Sequence, residues 1–167
     1  MDITDLVLED HARQRRMFAV LDGVDRADTA SLAAVWGALA EFLEVHAAAE
    51  EKVLYPEVLA RSDPDAEETK DAIGDHNDIR DAVGRASQCP VGSDEWWEAV
   101  GAARAANTEH MGEEEDEVLP HFRSGADLEL RDRLGREFEV AKAIGVPALD
   151  VADKDPERYV EQSEAAS

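Results

Sequence analysis

The chain has 167 residues, a net charge of −23 and 44% hydrophobic residues, about one domain with enough apolar material for a core. Nucleic acid and anionic membranes would be repelled, and the apolar runs are shorter than the roughly 20 residues of a membrane span. An N-terminus acidic from Asp2 onward is not a basic-headed secretory signal. The single cysteine, Cys89, excludes an internal disulfide framework and thiolate-only metal sites, so a cytoplasmic location is expected.

Ala, Leu, Glu, Asp and Arg dominate and no stretch alternates apolar with polar residues, which points to an all-α fold. The first helix is expected from about Ile3 to Gly23. The second follows Asp28, Thr29 or Ser31 as cap and reaches about Tyr55, where Pro56 ends or kinks it. A third is capped by Ser62 or Asp63, with Pro64 in its first turn, and fades near Ser87. A fourth starts after Ser93 and runs to Leu119, before Pro120. The fifth is amphipathic through Leu128, Leu130, Leu134 and Phe138. Residues 1–144 then form an antiparallel up-down four-helix bundle with an additional C-terminal helix. Residues 145–167 are expected to be a loosely ordered tail.

The inward stripes are readable by spacing. The second helix offers Leu32, Trp36, Leu39, Leu43, His46, Glu50 and Val53. The fourth offers Trp96, Val100, Ala103, Asn107, His110, Glu114 and Glu117. Val7, His11, Gln14, Phe18 and Leu21 mark the first helix, and Thr69, Ile73, His76, Arg80 or Ile79, and Val83 the third. Each stripe carries one histidine, and two carry a glutamate one turn on. A buried carboxylate is costly without positive charge beside it, and the stripes offer at most Arg80. A bound cation supplies that charge and explains imidazole and carboxylate together.

The pattern is also duplicated. "HAAAEEKVLYP" (46–56) recurs as "HMGEEEDEVLP" (110–120), and Asp10-His11 recurs as Asp75-His76. Two such helical hairpins would bring four histidines and two glutamates to one level, which suits two metals about 3.5–4 Å apart.

H…H-x3-E…H…H-x3-E over four helices resembles the hemerythrin-like (HHE cation-binding) family across about residues 3 to 123. The resemblance implies a four-helix bundle around a non-haem di-iron centre with an oxo or hydroxo bridge. His11, His46, His76 and His110 would then be terminal ligands, and Glu50 and Glu114 would bridge. Oxygen carriers of that family have a fifth ligand histidine one turn from the third-helix histidine, but here those places are Ala72 and Arg80. Two octahedral irons would therefore keep two open positions, where the carriers keep one.

Chemistry with a small oxidant or diatomic gas is thus expected: hydrogen peroxide, nitric oxide or dioxygen, with catalase- or peroxidase-like or nitric-oxide-processing activity. The alternative is a module that senses or binds oxygen, nitric oxide or iron without turnover and acts through a protein partner. Tyr55, whose counterpart in the repeat is Leu119, has two readings, an additional iron ligand or a packing residue. Glu51 and Glu115 are either acceptors for histidine N–H groups or solvated. Asp10 and Asp75 either orient neighbouring helices or face water. His121 is read as a bundle-end or surface histidine, and Cys89 has no assigned role.

Overall fold

A computed structural model describes residues 1–61, 65–145 and 152–166. The described residues form helices α1 (Ile3–Asp22), α2 (Thr29–Val53), α3 (Tyr55–Leu59), α4 (Asp65–Gln88), α5 (Asp94–Glu113), α6 (Leu119–Gly125), α7 (Leu128–Ile144) and α8 (Pro156–Ala166). A single π-helical stretch, Glu114–Val118, joins α5 to α6, and no strand occurs among the described residues.

Local chemistry places the helix starts. Asp2, Asp28, Ser93 and Asp127 cap α1, α2, α5 and α7, each accepting from a backbone N–H of the first turn, which satisfies groups left open at every helix start. The cap expected at Ser62 or Asp63, with Pro64 following, lies outside the described residues.

α1, α2, α4 and α5 form the four-helix bundle, and cross-helix pairs give its directions. Asp10 meets His46 and Arg13 meets Phe42, so α1 and α2 are antiparallel. Arg80 meets Glu44 while His76 meets Glu51, and Arg104 meets Asp22 while His11 meets Glu115. These make α2–α4 and α1–α5 antiparallel as well. Residues Thr29–Leu59 are long and apolar enough to cross a membrane by length and composition, yet they carry His46, Glu50 and Glu51 buried in the bundle, as a core helix does.

The core has two apolar clusters. One holds Phe18, Leu21, Leu32, Trp36, Leu39, Ile79, Trp96 and Val100, with Trp36 edge-on to Trp96 at 5.9 Å. The other holds Ile3, Val7, Val53, Leu54, Val118, Phe122, Leu134 and Phe138. Between them lies a layer of buried polar side chains that includes all four bundle histidines.

Three expectations need correction. Glu117 was placed on the inward stripe of the fourth helix but is exposed, and Val118 is buried instead, because the π stretch inserts one residue per turn. Leu128 is 58% exposed, so the packed face of α7 starts at the half-buried Leu130 and continues through Leu134 and Phe138. The tail is not loosely packed where it is described. Pro156–Ala166 is helical, and α8 packs against α4 and α3, burying Val160 and part of Tyr159.

Candidate metal centre

Four helices bring one histidine each to the polar layer: His11 from α1, His46 from α2, His76 from α4 and His110 from α5. None is more than 3% exposed, and Glu50 and Glu114 are at most 1% exposed. His46 Nε2 lies 3.0 Å from Glu50 Oε1 and His76 Nε2 3.5 Å from Glu50 Oε2. His11 Nε2 and His110 Nε2 lie 3.1 and 3.4 Å from Glu114 Oε2. Each carboxylate therefore stands between imidazoles of two helices. The donor atoms fall into two groups, His11–His46–Glu50–Glu114 and Glu50–His76–His110, each with all atoms within 4.8 Å of one another. Glu50 belongs to both.

The other ring nitrogens face a second ring of carboxylates. Nδ1 of His11 donates to Glu115 Oε1 at 2.8 Å, that of His46 to Asp10 Oδ2 at 3.1 Å and that of His76 to Glu51 Oε1 at 2.9 Å. His110 Nδ1 faces Asp75 Oδ2 at 3.6 Å. A carboxylate can only accept, so these contacts keep the proton on Nδ1 and leave the Nε2 lone pair to face the interior. All four outer carboxylates are chain neighbours of residues in the inner layer, and each serves the histidine of a different helix.

The inner layer is short of positive charge. His11 Nε2, His46 Nε2, both Glu50 oxygens and Glu114 Oε2 have no hydrogen-bond partner among the described residues. The Nε2 atoms of His76 and His110 approach to 3.0 Å. Among the described residues Glu50 and Glu114 face imidazoles and no lysine or arginine. Protons would otherwise have to take the place of a cation. Burial lowers the His46 imidazole, but Glu50 and Asp10 outweigh it and raise the group to about 10. Burial likewise lowers His76, and Glu50 and Glu51 raise it to about 9. Orphaned lone pairs and buried carboxylates converging on one point, with mixed N/O donors, fit metal cations.

A family model, the hemerythrin HHE cation-binding domain, matches residues 2–122. The chain belongs to the hemerythrin HHE cation-binding family. No curated protein and no solved structure was found to match it.

Within this hemerythrin-family bundle, the six residues singled out by spacing all reach one buried layer. Tyr55 joins them by a different route from either sequence reading. On an ideal extension of α2 it would point away from Glu50. The chain instead leaves the α2 helix at Leu54 and restarts as α3, which turns the ring inward. Its hydroxyl donates to Glu114 Oε1 at 2.6 Å, and its ring lies 6.0 Å from that of His76. Burial, then Glu114 and Glu50, push the phenol well above its ordinary range. His121 is exposed on α6.

Arg80, one turn from His76, pairs with outer carboxylates. Its Nη2 donates to Glu51 Oε1 at 2.8 Å and its Nε to Glu44 Oε1 at 2.7 Å. Burial raises the Glu51 carboxyl, but His76, Arg80 and Lys154 bring it down to about 2. Sequence reasoning missed Lys142 and Lys154, which meet Asp10 and Glu51; nothing in their local spacing signals it. Gln14, one turn from His11, is fully buried with neither amide atom partnered among the described residues.

Proposed function

We propose that this protein binds two iron ions with an oxo or hydroxo bridge through His11, His46, Glu50, His76, His110 and Glu114. It reacts there with small oxidants: hydrogen peroxide, nitric oxide or dioxygen. The observation that carries the reading is the pair of buried donor groups sharing Glu50. When bound, the iron pair supplies one-electron redox chemistry and Lewis acidity.

The chain's own part is positional and protic. Asp10, Glu51 and Glu115 hold three imidazoles in the tautomer that leaves Nε2 to face the layer. The apolar clusters on either side exclude bulk water. Tyr55 keeps its proton and holds it at Glu114 Oε1.

Metal analysis after iron reconstitution, joined to absorption spectroscopy and peroxide turnover, tests the reading. Two irons per chain, bridged diferric absorption and turnover that His46→Ala abolishes are the expected results. A protein that retains no stoichiometric metal overturns it. Spectral response to nitric oxide or dioxygen without turnover would assign the sensing and binding function instead.

A further inference from the structure

Two parts of the chain beyond the family-matched residues 2–122 reach the histidine layer. Lys142 Nζ, on α7, lies 2.6 Å from Asp10 Oδ2, the atom that accepts from His46 Nδ1 at 3.1 Å. Lys154 Nζ, in the segment leading into α8, donates to Glu51 Oε2 at 2.5 Å. The other oxygen of Glu51 accepts from His76 Nδ1 at 2.9 Å. Both contacts are sheltered. The lysine side chains are 14% and 18% exposed, and those of Asp10 and Glu51 only 10% and 2%, so solvent screens these pairs less than ordinary surface pairs.

Both lysines are themselves held in place. The backbone of Lys154 is fixed from both sides by one amide. Its N–H donates to Asn77 Oδ1 at 3.0 Å, and its carbonyl accepts from Asn77 Nδ2 at 2.7 Å. The Tyr159 hydroxyl of α8 donates to the Glu51 backbone carbonyl. Lys142 Nζ sits 4.7 Å from the centre of the Phe138 ring, and that ring packs edge-on against His46 at 6.0 Å. His46 belongs to one donor group and His76 to the other, so the two lysines meet the carboxylate partner of one histidine of each.

A carboxylate that accepts from a ligand histidine sets both the ring's direction and its basicity, and disturbing such partners costs metal affinity. A lysine paired with that carboxylate, at the shared oxygen of Asp10 or the opposite oxygen of Glu51, acts on both properties without touching the ligand.

We propose that Lys142 and Lys154 are positioning residues of the metal centre, each clamping the carboxylate that orients a ligand histidine, so that seating of the C-terminal segment and occupancy of the metal positions are coupled. This rests on the metal-binding reading above. Coupling of this kind is reciprocal: a seated segment slows metal loss, and bound metal protects the segment.

The test loads the full-length protein and its Lys142→Met, Lys154→Met and Lys154→Arg variants with iron(II) alone. Iron release to a chelator, absorption spectra, hydrogen exchange in α8 and metal-free melting temperature are then followed. Each methionine variant is expected to release iron about tenfold or more faster with an altered spectrum, and Lys154→Arg to recover most of the wild-type rate. In the wild type, α8 amides exchange more slowly with iron bound, a difference that Lys154→Met removes.

Wild-type release rates in both methionine variants, or α8 exchange indifferent to iron, would overturn the proposal while leaving the metal-binding reading intact. So would faster release fully accounted for by a lower metal-free melting temperature. A wild-type protein that takes up no iron removes both.

Discussion

Three histidines of the buried layer are determined at both ends of the ring. Nε2 faces Glu50 or Glu114 inside, while Nδ1 of His11, His46 and His76 donates to an outer carboxylate. The inner set was legible because His and Glu one turn apart interrupt an otherwise apolar stripe, and because the interruption occurs twice. Asp10, Glu51, Glu115 and Asp75 were visible only as neighbours of that set, with solvent exposure the other reading. Which carboxylate meets which histidine depends on how helices face one another, and that is not a property of either helix alone. Tyr55 shows the same boundary. Its hydroxyl donates to Glu114, so Tyr55→Phe is expected to keep the full iron content while oxidant turnover falls about a hundredfold or more. Iron analysis beside turnover rates checks this. A phenolate charge-transfer band in the wild type, lost in the variant, would make Tyr55 a ligand instead.

Among elements, the two halves of the repeat diverge just after their glutamates. After Glu50 the α-helix runs to Val53 and α3 begins at Tyr55, whereas Glu114 opens a π-helical stretch ending at Val118. The extra residue per turn shifts the buried position from Glu117 to Val118 and keeps an acidic run facing water, a register change that a repeat count cannot reveal. The helix starts, by contrast, are local. Asp28 and Ser93 cap their helices through backbone contacts a few residues away, so the chain itself specifies them. α7 depends on a close approach. A Cβ on Gly135 would meet the backbone carbonyl oxygen of Met1 at 2.0 Å, and the Met1 amino group pairs with Asp132 at 2.8 Å. Gly135→Ala is expected to displace the N-terminus and cost about 1–3 kcal/mol, read as a melting temperature several degrees lower in calorimetry. An unchanged melting temperature would show that the N-terminal segment shifts freely.

At the scale of the whole molecule, a polar layer between two apolar clusters ties stability to metal and pH. His46 and His76 are raised to about 10 and about 9 in the metal-free protein, above the ordinary 6.5. The stability gained by holding those protons is complete below about pH 6.5 and is lost as pH rises through about 9–10. Metal-free protein is therefore expected to melt at progressively lower temperature from pH 7 to pH 10. Protein loaded with iron is not expected to follow, since a cation has displaced the protons, and its affinity for the metal rises with pH over the same interval. Thermal melts with and without iron across that range check both; parallel declines would contradict the assignment. The all-α class, the four bundle helices, their inward stripes and the six candidate ligands were determined by the sequence alone, because helical periodicity is local and a buried charge on an apolar stripe is conspicuous. Only the tertiary structure decided that Tyr55 turns inward, that Arg80, Lys142 and Lys154 clamp the outer carboxylates, and that the segment before α8 reaches Glu51. Those contacts join residues far apart in the chain, and long-range pairing of surface-type side chains leaves no periodic trace in the sequence.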